Sequence, residues 1–153
     1  MKFTLFLILL PFAIMAQADL SSVAGTDWGT NYDKAMEAAK KENKNVLVYF
    51  TGSDWCHPCK MLKKDLFSTS DFKTMASDYI LLYIDLPRNK KLLTPEQLQH
   101  NKELLPKLNK RGIFPLFKIL DSQGDELDEH SGYSMNGEIS KHLALLDKYR
   151  KKS

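Results

Sequence analysis

Cysteine is almost missing from these 153 residues: there are two, Cys56 and Cys59, and both fall in the segment Trp55-Cys56-His57-Pro58-Cys59-Lys60. A bond across so short a spacing closes too small a loop to remove much unfolded-state entropy, so the pair is a poor staple and its spacing favours chemistry. Histidine is scarce too, and His100, His130 and His142 stand singly on polar stretches, which leaves zinc without the further ligands it needs. Haem attachment requires histidine after the second cysteine, and Lys60 is there instead. Charge of one sign is also lacking. The formal net charge is +3, and basic residues alternate with acidic ones except in Lys148-Tyr149-Arg150-Lys151-Lys152, which reads as a solvated helix end. With no basic face interleaved with aromatics, nucleic-acid binding is excluded. There is no internal repeat and no low-complexity tract.

The one long apolar run, Phe3 to Ala16, is shorter than the ~20 residues a helix needs to cross a bilayer, and Pro11 interrupts it. It follows Lys2 and ends in Ala16-Gln17-Ala18, the pattern of a secretory signal with a small-x-small cleavage site. No cysteine lies near that site to carry a lipid. Residues 1–18 are therefore expected to be a signal peptide cleaved after Ala18, leaving a soluble exported chain, periplasmic or secreted, whose net charge drops from +3 to +2 with Lys2. Residues 19–153 are the size of one domain, long enough to bury a core without metal or multiple disulfides.

Along that stretch, Thr30-Asn31-Tyr32-Asp33 reads as a capping box before a helix with Tyr32, Ala35, Met36 and Ala39 on one face. Val46-Leu47-Val48-Tyr49-Phe50 reads as a strand buried on both faces, with Tyr49 and Phe50 in the core. Met61, Leu62, Leu66 and Phe67 then recur at helical spacing, so Cys56 stands where a strand turns into a helix with Pro58 in its first turn. Ser70 to Ser77 predicts a short helix, and Tyr79 to Asp85 a second buried strand closed by Pro87. Arg88 to Gln99 is read as polar and irregular, with Thr94-Pro95-Glu96 as a helix start, and Glu103 to Lys110 as an apolar stripe of Leu104, Leu105 and Leu108. Leu116 to Leu120 is a third strand, Asp121 to Gly124 a turn, and Asp125 to His130 a polar edge strand. Asn136 is expected to cap a last helix with Ile139, Leu143 and Leu146 inward. Strands alternating with helices and ending in a hairpin and a helix define an α/β class around a mixed sheet of about four strands.

These residues resemble the thioredoxin superfamily, and within it exported bacterial thioredoxin-like proteins that carry a helix, a strand and then Gly-Ser-Asp-Trp-Cys-x-x-Cys-Lys. The matching residues are Trp28, the helix from Asn31 to Asn43, and Val46 through Lys60 including Gly52-Ser53-Asp54-Trp55. Ile84-Asp85, Phe114-Pro115, Gly124 and Gly132 extend the match. The resemblance implies the thioredoxin fold with an extra N-terminal helix, a cis-proline at Pro115 brought next to the cysteines, and a Phe114 backbone able to pair with an extended substrate. It also implies protein disulfide or dithiol substrates, no cofactor beyond the Cys56–Cys59 disulfide itself, and a membrane electron donor. Two positions depart from the family pattern: Tyr49 aligns with its buried aspartate, and Phe114 stands where threonine or valine is common.

Disulfide exchange needs a thiolate to attack and a second thiol near enough to resolve the mixed disulfide. A helix start supplies both: Cys56, ahead of the unpaired N–H groups, has its pKa lowered from ~8.5 and attacks, while Cys59, one turn in, resolves. Protonated His57 beside Cys56 would favour the thiolate and so the dithiol form, whereas Pro58 resembles the reducing members; together these two residues tune the couple. Trp55, with Phe114 and Pro115, is expected to form the substrate rim, and Lys60, Lys63 and Lys64 a solvated face. The leading function is a monomeric thiol–disulfide oxidoreductase, more a reductase than an oxidase or isomerase. The rival is a binding module of the same fold, a chaperone or a copper handler using the dithiol, for which only His57 and Met61 are nearby soft or basic candidates.

Overall fold

A computed structural model describes residues 26–151, so the signal segment and its cleavage site at Ala18 lie outside the described residues. The first element, α1 (Tyr32–Glu42), starts at Asn31, whose side chain accepts from Lys34 N–H, and ends at Asn43 in the left-handed conformation. Its Ala35, Met36 and Ala39 face inward, as the spacing predicts. Every residue of β1 (Asn45–Thr51) is buried, and β2 (Tyr79–Asp85) is nearly as covered, because helices close both faces of the sheet.

The sheet order is β2-β1-β3-β4, with β3 at Leu116–Leu120 and β4 at Glu126–Ser131. β1 and β2 are parallel, with Tyr49 opposite Tyr83 and Thr51 opposite Asp85. β1 runs antiparallel to β3 and β3 antiparallel to β4, so the polar strand lies at the edge, as its composition requires. Strand alternation then sorts the core into two layers. Leu47, Tyr49, Tyr83, Phe117 and Ile119 face Trp28, Leu62, Phe67, Phe72 and Leu146; Val46, Val48, Phe50, Ile84 and Leu116 face Ala35, Met36, Ala39 and Leu104. Helices therefore cover a four-stranded mixed sheet on both sides, and α1 precedes it, as the resemblance implies.

Three readings are corrected. The helix after the cysteines, α2 (His57–Leu62), passes into a wider π-turn over Lys63–Phe67, which turns both Leu66 and Phe67 into the core and leaves Met61 half-buried. After the short α3 (Ser70–Ala76), the helix start expected at Thr94-Pro95-Glu96 is found, and from it one helix, α4 (Pro95–Leu108), runs unbroken into the apolar stripe, so the stretch up to Gln99 is helical where it reads as irregular. Leu104 is buried and Leu105 and Leu108 pack against the same core layer, as the apolar stripe predicts, while Asn101 adds a buried polar group between Leu98 and Leu104. The last helix, α5 (Ser140–Tyr149), begins four residues beyond Asn136. Asn136 instead accepts from Glu138 N–H in a local turn, and the Glu138 carboxylate accepts from Ser140 N–H.

Candidate active site

The end of β1 delivers the chain into Gly52-Ser53-Asp54-Trp55, and three sets of bonds hold this loop against the end of β2. Asp85 is buried and accepts from Ser53 N–H at 2.8 Å and from the Ser53 hydroxyl at 2.5 Å. The Asp54 carboxylate accepts from Arg88 N–H at 3.0 Å and Asn89 N–H at 2.8 Å. Trp55 Nε1–H donates to the Leu86 carbonyl at 2.8 Å. The two carboxylates titrate in opposite directions. Burial pushes Asp85 above the ordinary carboxylate range, whereas the N–H groups of Asn89 and then Arg88 hold the exposed Asp54 carboxyl below it.

Cys56 N–H donates to the Gly52 carbonyl at 2.8 Å, which turns the chain into α2 with Cys56 as its cap residue. Its Sγ accepts from Cys59 N–H at 3.3 Å, and the two cysteines are joined as a disulfide with Cα atoms 5.3 Å apart. Pro58 lies in the first turn, where its missing N–H costs no helical bond. His57 and Lys60 point to solvent, and Lys60 Nζ donates to the Asp54 carbonyl. Both cysteines are buried in the disulfide form, Cys59 at 1% exposure and Cys56 at 3%.

Under the helix, the Tyr49 hydroxyl donates to the Cys59 carbonyl at 3.1 Å. Burial pushes its phenol well above the ordinary value, so at neutral pH Tyr49 stays a hydrogen-bond donor and does not replace a carboxylate as a base. Its ring sits among Trp28, Phe67, Tyr83 and Phe117 at centroid distances of 6.0, 5.1, 5.6 and 5.3 Å, which fixes where the hydroxyl points. Trp28 is thus core.

Between α4 and β3, the Phe114–Pro115 peptide is cis, and the Pro115 carbonyl accepts from Gly132 N–H at 2.8 Å. Phe114 meets the half-buried Trp55 edge-on, with ring centroids 5.3 Å apart, so the rim residues are brought together. The Trp55 indole lies flat against Gly52, where a Cβ would come within 2.2 Å of the ring. Ser53, Asp54 and Asp85 matched the family pattern without a readable role; the only hint was short polar residues at two strand ends.

The remaining histidines are not scattered. His130 and His142 face each other with ring centroids 4.5 Å apart, His142 is buried on α5, and the His100 ring accepts from Tyr32 N–H on α1. Among the described residues, no three or more His, Cys, Asp or Glu side chains are grouped to hold a metal ion. Two sulfurs joined in this way can carry two electrons and two protons between a disulfide and a dithiol form.

Fold and site together define a class: a mixed sheet with a Cys-x-x-Cys pair capping a helix beside a cis-proline loop. The thioredoxin-like family model matches residues 27–122, and the chain belongs to that family. The chain is 32% identical over 107 residues to the disulfide bond reductase DsbH of Chlamydia pneumoniae, covering 69% of this chain and 63% of that protein. It is 31% identical over 91 residues to the thiol:disulfide interchange protein DsbD of Vibrio cholerae, covering 60% of this chain and 14% of that protein. Its match thus spans less than two thirds of either relative. A solved structure of a DsbH oxidoreductase superposes with a TM-score of 0.65 at 27% identity, covering 82% of this chain and 89% of that one.

Proposed function

We propose that the protein is an exported thiol–disulfide oxidoreductase acting chiefly as a reductase of protein disulfides. The observation that carries this reading is the Cys56–Cys59 disulfide at the start of α2, with Cys56 Sγ placed on the Cys59 N–H. In the reduced protein, that donor and the helix start favour the Cys56 thiolate. The thiolate attacks one sulfur of a substrate disulfide and forms a mixed disulfide; the other substrate sulfur leaves as a thiolate and takes a proton. Cys59 then loses its proton, attacks Cys56 Sγ, closes the protein disulfide and releases the second substrate thiolate. Two electrons pass from the dithiol to the substrate. His57 and Pro58 tune the couple, and Trp55, Phe114 and Pro115 receive the substrate segment. A membrane donor restores the dithiol.

Residues 1–18 are removed after Ala18 in this reading, and residues 19–153 act as a monomeric domain in the periplasm or outside the cell. Mass measurement of the protein recovered after export tests the cleavage. For the chemistry, reduction of insulin disulfides with dithiothreitol as donor should require Cys56. Cys56→Ser should be inactive, and Cys59→Ser should accumulate mixed disulfides. Trapping by Cys56→Ser with none by Cys59→Ser would reverse the two roles.

A further inference from the structure

The segment after β2 does more than tie down the active-site loop. Arg88, Lys90 and Lys91 are all exposed, and none has an ion-pair partner among the described residues. Their positions are not those of a loose loop. Asp54 holds Arg88 N–H and Asn89 N–H, and the Asn89 side chain accepts from Lys91 N–H at the start of a short 3₁₀ turn over Lys90–Leu92. The Arg88 guanidinium carbon lies over the Trp55 ring, 5.0 Å from its centroid, and Trp55 precedes Cys56 and touches Phe114. Lys60, four residues beyond Cys56 on α2, adds a further exposed cation, tethered to this loop by its bond to the Asp54 carbonyl.

The opposing charge here is small. Asp54 is the acidic member of this rim, and backbone N–H groups already occupy both of its carboxylate oxygens. Fixed cations beside a reacting sulfur raise the local concentration of anionic partners, and their effect survives only while salt is low enough not to screen it. Leu92, 52% exposed, supplies an apolar contact beside the lysines.

We infer that the Arg88–Lys91 segment is a specificity surface that selects disulfides flanked by acidic residues. Resting on the oxidoreductase reading above, it names the substrate class: an extended protein segment with Asp or Glu beside the target cysteine. A protein segment is favoured over a membrane or nucleic acid because one of the cations, Arg88, lies over the aromatic that borders Cys56 and the two lysines follow it within three residues. A long basic face away from the sulfurs would suit those other partners better.

The test compares two synthetic disulfide peptides that differ only in flanking Asp/Glu or flanking Lys, reduced in single turnovers by the prereduced protein. 2-Hydroxyethyl disulfide, a linear uncharged disulfide, serves as the reference. The acidic peptide should react about tenfold faster than the basic one at ~0.01 M salt, and the ratio should fall close to unity near 1 M salt, where the Debye length is ~3 Å. In Arg88→Glu and in Lys90→Glu/Lys91→Glu the ratio should invert. Because the ratio is read within each protein, a general loss of rate does not affect it, and the salt series needs no variant. Equal rates for the two peptides, with normal exchange against 2-hydroxyethyl disulfide, would overturn the inference alone. Co-sedimentation with anionic phosphatidylglycerol vesicles in the absence of any peptide preference would overturn it in favour of a membrane surface. No exchange with 2-hydroxyethyl disulfide or with either peptide would remove the oxidoreductase reading and this inference with it.

Discussion

At the scale of single residues, Gly52 shows how backbone space becomes a functional feature. Its φ is not in the left-handed region, so conformational freedom is not the reason for glycine here. The reason is room: the Trp55 indole occupies the volume a side chain would take, at 2.2 to 2.6 Å from a built Cβ. Gly52→Ala should push the indole outward and break its bond to the Leu86 carbonyl and its edge contact with Phe114. A hydrogen bond is worth about 1 kcal/mol and an aromatic pair about 1 kcal/mol, so urea unfolding should show a loss of about 2 kcal/mol. Trp55 emission should shift to the red, and peptide disulfide reduction should slow, while Trp28, buried in the core, reports no change. Unchanged emission and rate would mean that the indole position is unimportant to the rim.

At the scale of elements, α5 carries a titratable group where an apolar one would pack. His142 is buried with Nδ1 lacking a hydrogen-bond partner, edge-on to Phe117 at 5.3 Å and to His130 at 4.5 Å. Burial, and then the charge of His130, lower its pKa from 6.5 to about 4. The folded value lies below the unfolded one, so its contribution to stability is full above about pH 6.5 and is lost as the pH falls towards 4. Two and a half pH units correspond to about 3 kcal/mol. The urea midpoint should therefore fall across that window, and His142→Phe should flatten the fall. Asp85, pushed up by burial, acts with the opposite sign, so the difference between the two proteins isolates His142. Identical pH profiles would show that His142 is not desolvated. This same residue marks where sequence patterns stop being legible. The strands β1 and β2 are unbroken apolar runs, and the Cys56 turn announces itself by its cysteines and proline. By contrast, the first half of α4 docks through Gln97 Nε2–H to the Thr30 carbonyl and Asn101 Nδ2–H to the Asp85 carbonyl, so that half reads as polar and irregular while its leucines Leu104, Leu105 and Leu108 remain legible. A histidine facing inward on α5 is invisible to an apolar period for the same reason. Asp85 and Ser53 meet across 32 residues, a pairing that no local pattern encodes.

At the scale of the whole molecule, the direction of the redox reaction becomes a question of which form folds better. Folding and reduction close one thermodynamic cycle over the disulfide and dithiol forms of the native and unfolded chain, so a couple more reducing in the native protein than in the unfolded one must stabilise the native disulfide form, relative to the dithiol form, by the same free energy. About 30 mV corresponds to ~1.4 kcal/mol for two electrons. An oxidant of this fold reaches its high potential by the opposite route, through a stabilised reduced form. The reductase reading therefore predicts that the disulfide form unfolds at higher urea than the dithiol form. Two features of the site act on this balance. The Tyr49 hydroxyl on the Cys59 carbonyl and the Gly52 carbonyl on Cys56 N–H hold the backbone of the pair independently of the sulfurs. The Cys59 N–H on Cys56 Sγ, and exposed His57 beside it when protonated, favour a thiolate and so the dithiol form. His57→Gly should consequently widen the stability gap in favour of the disulfide form and should move the glutathione equilibrium by the matching amount. If the dithiol form proves the more stable and His57→Gly narrows its advantage, the protein is poised as an oxidant, and the direction proposed for its chemistry is reversed.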